Sequence, residues 1–291
     1  MLRRMRYFAG ALVAVGVFAS AGGVLADPVP ELAAKVPANL REAGVLRVGS
    51  QQTFPPVEFK EEGQDQVIGA SADLLAEIAS RLDLKLEYIH GDYAALIPGL
   101  DAGRFDVASG GISDTEEREQ KVDFVNYMMS GASILLRNGD GDTFKSIEDY
   151  CGKSISTMLG GRTIMAVVEA KSAECQTAGK GAITAEQLPA MLDARAQLDL
   201  KRVDGYIGDF PALAFMLAKE PGKYEIAGGN YLLTAYVTSW AFPKDSTLTA
   251  LFQATTQGML EDGSYEKILD KWGLKGGALP EISINLPASK R

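Results

Sequence analysis

One arginine stands out in the run GGISDTEER at residues 110–118, because it falls where a helix is predicted to begin. Ser113 and Glu116 have the spacing of a capping box, and the neighbouring acids suit the first turn of a helix. A cation is mildly unfavourable there, since the helix dipole is positive at its N-terminus. Arg118 is therefore predicted to bind an anion that arrives with a ligand. The alternative is an ordinary helix salt bridge to a neighbouring acid.

Glycine pairs occur at the ends of two predicted strands. The strand at 105–109 runs into residues 110–111, and the strand at 154–158 runs into residues 160–161 and then a helix. Ligands in α/β proteins bind beyond the carboxyl ends of strands, where glycine lets the backbone come close and helix N-termini offer free N–H groups. Each pair alone is explained by a tight turn. Together, and with Arg118 beside one of them, they predict a divided site for a carboxylate.

An acid marks a third predicted strand end, in the run YIGDFP at residues 206–211. Asp209 has the position of an N-cap for the helix that follows, with Pro211 in its first turn. It would also provide the counter-charge for an ammonium group if Arg118 held the carboxylate of the same molecule. The sequence leaves both roles open, and one does not preclude the other.

Strands and helices alternate in two blocks that would position these residues. A strand at 133–137 and a linker at 138–142 lie between the blocks. The first block has strands at 45–49, 84–88 and 105–109 with helices at 71–82 and 93–103, and the second has strands at 154–158 and 202–208 with helices at 162–173 and 210–219. This alternation predicts an α/β fold with mainly parallel sheets and helices on their faces.

The last third of the chain has a strand at 236–242 and a pair of amphipathic helices within 248–272. These elements are too few to bury a core alone, so we expect them to return to the first block. The predicted organisation is a first lobe of residues 27–131 and 238–291 and a second lobe of residues 132–237. Two strands cross between the lobes and act as a hinge. Clefts between domains are common sites for small molecules.

The N-terminus has the pattern of an export signal. Arg3, Arg4 and Arg6 precede an apolar run, and small residues follow up to Ala26. We predict a cleaved signal peptide at residues 1–26 in preference to a transmembrane anchor, because the run is short and no stop-transfer lysines follow it. No cysteine follows the run, so a lipid anchor is not expected.

Composition excludes several classes of function. The predicted leader takes three of the 29 basic side chains, which leaves 26 against 38 acidic ones and a formal net charge of −12. Nucleic acids and anionic membranes are therefore not expected partners. The only histidine, His90, leaves no basis for a histidine-containing metal cluster or catalytic triad. Neither a metal nor a cofactor is expected.

Two cysteines, Cys151 and Cys175, both lie in the predicted exported part. An oxidising compartment favours a disulfide between them over a reactive thiol. We predict a bridge within the second lobe.

The chain resembles the extracytoplasmic solute-binding proteins of family 3, the receptors of ABC importers for polar amino acids. The resemblance extends from about Leu46 to Gly273. It rests on these runs: TFPPVEF at 53–59, LIPGL at 96–100, GRFDV at 103–107, SDTEER at 113–118, VDF at 122–124 and DGSYEKI at 262–268. It implies the two-lobed type II periplasmic-binding fold, in which two mainly parallel sheets flanked by helices are joined by a two-strand hinge.

The resemblance also implies roles for individual residues. Arg118, assisted by Ser113, would pair with the α-carboxylate of an amino acid. The Gly111 carbonyl and Asp209 would hold its α-ammonium group.

Two aromatic residues, Phe54 and Tyr93, occupy positions that the resemblance assigns to the walls of the side-chain compartment. From the residues alone either one could be core, and Phe54 is expected to be the more exposed. Gln51 stands where members that prefer lysine or arginine tend to have an aspartate, so a cationic ligand is less favoured.

The second glycine pair departs from the family pattern. Members often have Gly-Thr-Thr or Gly-Ser-Thr at the start of the second-lobe helix, whereas this chain has Gly161, Arg162 and Thr163. These three residues are assigned to the ligand site. For the Arg162 side chain three outcomes stay open: reinforcing the carboxylate site, reaching an acidic ligand side chain, or pointing into solvent.

Three classes of function fit a two-lobed exported protein. A receptor needs only the clamp and the hinge, and its closure would be read by an ABC-transporter permease. An enzyme on the same fold, such as a periplasmic cyclohexadienyl dehydratase, would need an acid–base pair that the sequence does not reveal. A sensor module would need a transmembrane segment in the same chain. We predict a receptor, not an enzyme, that acts in the periplasm as a monomer.

Overall fold

The computed structural model describes residues 26–229 and 232–291. The predicted leader lies outside these ranges except for Ala26. The main chain of Ala26 accepts a hydrogen bond from Ser80 Oγ (2.6 Å) and donates one to Glu77 (3.2 Å). Within the described residues, none of the helices combines the length and the apolar character needed to cross a membrane.

The helices and strands alternate along most of the described chain. The strands are β1 (Val45–Ser50), β2 (Thr53–Phe54), β3 (Glu58–Lys60), β4 (Val67–Ile68), β5 (Lys85–His90), β6 (Val107–Ser113), β7 (Val122–Arg137), β8 (Ser154–Met158), β9 (Thr184–Leu188), β10 (Gly205–Asp209), β11 (Tyr224–Ile226), β12 (Thr234–Pro243) and β13 (Ser283–Ile284). The α-helices are α1 (Pro30–Ala33), α2 (Ala38–Ala43), α3 (Ala70–Arg81), α4 (Leu96–Asp101), α5 (Glu116–Glu119), α6 (Arg162–Thr177), α7 (Met191–Asp199), α8 (Phe210–Lys219), α9 (Thr247–Glu261) and α10 (Ser264–Lys271). Single 3₁₀ turns occur at Tyr93–Ala95, Ile147–Tyr150, Lys275–Gly277 and Ala288–Lys290.

The main sheet has the strand order β5-β1-β6-β12-β7-β10-β8-β9. Its two ends, β5-β1-β6 and β10-β8-β9, are parallel, and β12 and β7 between them run antiparallel to each other and to their outer neighbours. We call β5-β1-β6 with α3, α9 and α10 the first lobe, and β10-β8-β9 with α6, α7 and α8 the second lobe. The fold is α/β with mainly parallel pairing and flanking helices. The two sheets expected from the sequence are joined into one, because β12 pairs with β6 of the first lobe, β7 pairs with β10 of the second, and the two long strands pair with each other.

The C-terminal helices pack on the first lobe. Helix α10 lies against α3, and α9 lies against both α3 and β7. The Tyr265 hydroxyl donates to the Tyr127 carbonyl (2.7 Å), and Arg81 of α3 forms an ion pair with Asp262 (2.8 Å). The tertiary contacts therefore return the end of the chain to the side of the molecule on which it began.

The first glycine pair does not end its strand as predicted. Gly110 (φ 99°) and Gly111 (φ 88°) lie inside β6, which continues to Ser113 because it pairs with β12. The predicted capping box at Ser113 is also wrong. The N-cap of α5 is Thr115, whose hydroxyl accepts a hydrogen bond from the Arg118 N–H (3.3 Å). Pairing with a distant strand overrides the local turn signal.

The predicted disulfide is confirmed. Cys151 and Cys175 are bonded, with their Cα atoms 5.4 Å apart. The bridge links the segment before β8 to the last turn of α6, so both of its ends belong to the second lobe.

A groove lined mainly by apolar side chains follows β7 where this strand passes between the lobes. Met129 and Gly131 of β7 line it together with Phe215 of α8, Leu232 and Trp272. Phe59 of the small sheet β2-β3-β4 has its ring centroid 5.7 Å from that of Phe215 and 6.0 Å from that of Trp272. Aromatic contacts thus connect the two lobes beside the crossing strands.

Candidate functional site

A cavity lies between the two lobes where their strands end. The space between its protein atoms, which includes a part open to solvent, is about 480 Å³. The lining comes from Gln51, Tyr93, Gly110, Gly111 and Ser113 on one side, from Thr157, Met158, Gly161, Thr163, Ile164, Met191, Tyr206, Ile207, Gly208 and Asp209 on the other, and from Tyr236 of β12. Both lobes therefore contribute to one site.

Arg118 connects the two lobes beside this cavity, although it is not one of the lining residues. Its Nη1 donates to the carbonyl (2.8 Å) and the hydroxyl (2.9 Å) of Ser113, and its Nη2 donates to the Gly160 carbonyl (3.0 Å) of the other lobe. Its Cζ lies 5.9 Å from the centre of the Tyr93 ring. Among the described ion pairs, none involves Arg118, so the alternative of a helix salt bridge is not realised here. The guanidinium is held in place while its charge lacks a carboxylate partner.

The second-lobe wall is the N-terminus of α6. Its N-cap is Gly161, and no side chain caps the first turn, which leaves main-chain N–H groups of that turn free to bind an anion. The Thr163 hydroxyl lies 3.4 Å from the Ser113 hydroxyl across the cleft. Gly161, Thr163 and Ser113 are thus brought together in the cleft.

Arg162 takes the exposed option of the three left open by the sequence. Its Nη1 lies 3.1 Å from Glu117 Oε1, and the two side chains are 67% and 64% exposed. Arg162 is not part of the cavity lining. It forms instead an ion pair at the surface between α6 of one lobe and α5 of the other.

Asp209 ends β10 and lies in the cavity. It occupies the N-cap position of α8, but its side chain makes no capping hydrogen bond. The carboxyl group is instead hydrogen-bonded to the Tyr236 hydroxyl, whose oxygen also lies 3.2 Å from the Gly131 carbonyl. Burial raises the pKa of Asp209 to about 7. An ammonium group beside it would favour the ionised form.

Of the two aromatic residues predicted to line the side-chain compartment, Tyr93 and Phe54, only Tyr93 lines the cavity. Tyr93 lines the cavity and is 9% exposed. Phe54 is only 1% exposed, and a Cβ atom on Gly111 would lie 2.3 Å from its ring. The prediction that Phe54 is the more exposed of the two is therefore wrong. Because Gly111 has no side chain, the Phe54 ring fills the space beneath the cavity floor and does not line it.

The cavity carries little negative charge. Among its described lining residues Asp209 is the only carboxylate, and Gln51 contributes a neutral amide whose Nε2 donates to the Gly110 carbonyl (3.0 Å). Glu58 lies behind Gly110, outside the lining. It is fully buried and accepts a hydrogen bond from the Ser109 hydroxyl (2.6 Å), and burial raises its pKa. Glu58 is thus a poor counter-charge for a ligand.

Several lining residues were not found from the sequence. Tyr236 was assigned only to a strand, and Thr157, Tyr206 and Met191 were assigned no role. Tyr236 and Asp209 are 27 residues apart, so their hydrogen bond follows from the pairing of strands rather than from a local pattern. Position gives a usable signal for Thr157, which lies next to the carboxyl end of the parallel strand β8, but not for Tyr206, the second residue of β10.

The comparisons with known proteins agree with this geometry. Residues 46–275 match the family model described as bacterial extracellular solute-binding proteins, family 3. The arginine-binding protein ArgT of Corynebacterium glutamicum is 32% identical over 265 residues, which cover 90% of this chain and 85% of ArgT. An ancestral arginine-binding protein bound to arginine is 30% identical with a TM-score of 0.71, and the match covers 79% of this chain and 98% of the other.

Two further structures bear on the ligand and the activity. The ancestral arginine-binding protein bound to glutamine is 30% identical with a TM-score of 0.70, covering 79% of this chain and 97% of the other. The ancestral amino acid-binding protein AncCDT-1, a precursor of cyclohexadienyl dehydratase, is 26% identical with a TM-score of 0.69, covering 80% and 97%.

Proposed function

The chain belongs to the bacterial extracellular solute-binding proteins, family 3, and we propose that it captures an amino acid in the interlobe cavity and delivers it to the membrane permease of an ABC importer. Family membership makes it a solute-binding protein and not an enzyme. The observation that carries the proposal is the charge around the cleft: Arg118, which forms no ion pair among the described residues, lies beside the cavity through its contacts with Ser113 and Gly160, and Asp209 belongs to the lining. A zwitterion fits such a pair of charges.

The two ends of an α-amino acid would use different parts of the protein. The carboxylate would be held by Arg118 and Ser113 from the first lobe and by the N-terminal turn of α6 with Thr163 from the second. The ammonium group would be held by Asp209 and the Gly111 carbonyl. Because each end draws on both lobes, binding favours the closed arrangement over an open one.

For the ligand side chain we propose a neutral polar group. If Asp209 pairs with the α-ammonium group, no carboxylate among the described lining residues remains for a second cation. Gln51, Thr157 and Tyr206 supply neutral polar groups instead. ArgT is named for arginine, but the ancestral arginine-binding scaffold has also been solved with glutamine. L-glutamine is therefore the first ligand to test.

The same family membership places such proteins outside the cytoplasm. We propose that the leader at 1–26 is cleaved, that the protein acts in the periplasm without a lipid anchor, and that it is a monomer. Its predicted lobes, 27–131 with 238–291 and 132–237, would close about β7 and β12.

A thermal-shift screen of the L-amino acids followed by calorimetry tests the proposal. Ligand at about 100 times its dissociation constant should stabilise the protein by about 2.7 kcal/mol. L-glutamine is expected to give a larger shift than L-arginine, and N-acetyl or α-carboxamide derivatives should give none. The absence of any shift with amino acids, or equal binding of the blocked derivatives, would contradict the proposal. Incubation with prephenate or arogenate, with no aromatic product expected, checks the dehydratase alternative.

A further inference from the structure

The last residues of the chain lie against the helix that carries Arg118. Residues 276–291 fall beyond the part matched by the family model. Strand β13 pairs with β7 at Asn126 and Val125. Asn285 then accepts a hydrogen bond from the Phe124 N–H (2.8 Å) and donates to Asp123 (2.9 Å). This segment, which we call the tail (residues 283–291), is fixed to the central strand.

From there the tail reaches α5. The Ser289 hydroxyl donates to Glu116 Oε1 (3.0 Å), and Lys290 Nζ lies 3.6 Å from Glu119 Oε2. Helix α5 has only four residues, far too few to be stable by itself. Its geometry must therefore come from contacts with other elements, and the tail supplies two of them, one at each end of the helix.

A buried carboxyl pair lies beneath the same helix. Asp114, just before α5, and Glu119, its last residue, each have a buried oxygen with no hydrogen-bond partner among the described residues. A proton on Asp114 shared with Glu119 would satisfy both oxygens. Burial first, and then the neighbouring Glu119, raise the pKa of Asp114 to about 7, while Asn126 and Lys290 oppose the shift.

An amide joins this carboxyl pair to the tail. Asn126 is fully buried, and its Nδ2 lies within hydrogen-bond distance of Asp114 Oδ2 (3.0 Å) and of the Leu286 carbonyl (3.4 Å). The segment 114–119 is thus held at its beginning through Asn126 and at its end through Lys290. Arg118 lies between these two points.

We propose that the tail positions Arg118, with Lys290 and Ser289 as positioning residues that fix α5 so that the guanidinium meets the ligand carboxylate. The inference rests on the proposed role of Arg118 as the carboxylate clamp. It assigns the tail a part in affinity although no tail residue lines the cavity as described.

Hydrogen exchange in the ligand-free protein tests whether the tail holds α5 in place. A variant that lacks residues 287–291 keeps β13 and the buried Ile282, so the core is retained. Its peptide spanning α5 should exchange several-fold faster than in the full chain, whereas the peptide spanning α6 should be unchanged. Lys290→Gln should show a smaller effect of the same kind.

The matched control is Lys275→Gln, which removes a similarly loose ion pair to Glu266 (3.8 Å) and should change the exchange of neither peptide. Unchanged exchange at α5 in the shortened variant overturns the proposal.

Affinity for L-glutamine tests whether the tail contributes to ligand binding through Arg118. Removal of residues 287–291 should weaken binding about 3- to 10-fold, and in an Arg118→Ala background the same removal should have no further effect, because the tail acts through Arg118. The half-maximal concentration in a thermal-shift titration keeps weak binding measurable. An equal loss in both backgrounds overturns the positioning role. If the full chain binds no amino acid, the proposed function fails, and the exchange measurement still decides whether the tail holds α5.

Discussion

The two walls of the cleft are built from similar sequence and differ in structure. Both contain a strand, a glycine pair and a helix. In the first lobe the glycines belong to β6, and the chain then forms the four-residue helix α5, which carries Arg118. In the second lobe the glycines form a loop before the 16-residue α6, which offers its uncapped N-terminus. One wall presents a side-chain charge and the other presents main-chain N–H groups.

This difference gives the two walls different roles in ligand binding. Arg118 is placed mainly by contacts with Ser113 and Thr115, close to it in the chain, and only one of its contacts, to Gly160, reaches the other lobe, so most of its position is set before a ligand arrives. The N-terminus of α6 belongs to the second lobe and would reach the ligand only when the lobes close as proposed. Affinity should therefore depend most on the first wall, and closure on both.

The largest effect should come from removing the charge of the first wall. Arg118→Ala is expected to cost about 2–5 kcal/mol of binding free energy, because it leaves the ligand carboxylate without its counter-charge, while the unliganded fold changes little. Calorimetric titration and thermal unfolding measure the two quantities. A loss of less than about threefold in affinity would remove Arg118 from the site and erase the contrast between the walls.

The pH dependence of ligand affinity should reveal the ionisation of Asp209. Since the pKa of Asp209 is raised to about 7, the free protein holds a proton there at lower pH, and an ammonium group must displace it. Affinity should fall about tenfold for each pH unit below 7. In Asp209→Asn affinity should be lower and nearly independent of pH between 5 and 7. A wild-type affinity that is flat over this range would show that Asp209 is already ionised.

The raised pKa of Asp209 affects stability in the opposite direction from affinity, because the proton that weakens ligand binding at low pH stabilises the unliganded fold. The folded protein keeps the Asp209 proton at pH values where the unfolded chain has released it. The free energy of unfolding of the unliganded protein should therefore decrease as pH rises from about 4 through 7. Urea unfolding across this range measures the slope, which should be shallower in Asp209→Asn. Asp114 contributes in the same direction, so part of the slope should remain.

Alanine substitutions at Gly111 and Gly161 should destabilise the protein by different amounts, because the two glycines have different surroundings. Gly111→Ala places a Cβ 2.3 Å from the Phe54 ring at a φ of +88°, and about 1–3 kcal/mol of destabilisation is expected. Gly161 has a φ of −71° and its nearest neighbour is the Met158 carbonyl at 3.2 Å, so Gly161→Ala should cost about 1 kcal/mol or less. Equal losses in urea unfolding would mean that the two pairs are equivalent turns after all.

The smallest effect should come from the surface ion pair between the walls. Arg162→Gln removes the contact with Glu117, and exposed pairs of this kind contribute about 0–1 kcal/mol. Affinity should fall by no more than about fivefold at low salt, and the difference should vanish at about 1 M salt. Glu117→Gln should behave alike. A loss as large as that of Arg118→Ala would instead place Arg162 in the carboxylate site.

Local patterns were sufficient for much of the fold and part of the site. The bounds of β8 and α8 were predicted correctly, because each has strong start and stop signals and a clear apolar pattern. The end of β6 was not, since only pairing with β12 keeps its glycines in a strand. The exposure of Phe54 depends on the empty space beside Gly111, which no periodicity reveals. Contacts such as Ser289 with Glu116, 173 residues apart, have no local signal.

The groove beside the crossing strands has an optical consequence. The chain has two tryptophans. Trp272 lines the groove that Phe215 of the opposite lobe also lines, and Phe59 contacts both rings, whereas Trp240 is fully buried and stacks on Tyr127. A change in the angle between the lobes would alter the surroundings of the Trp272 indole, whereas the Trp240 indole is held by Ser71 and Phe252 on the first-lobe side. If the lobes close as proposed, Trp272 fluorescence should report the closure with Trp240 as an internal reference, and no dye needs to be attached.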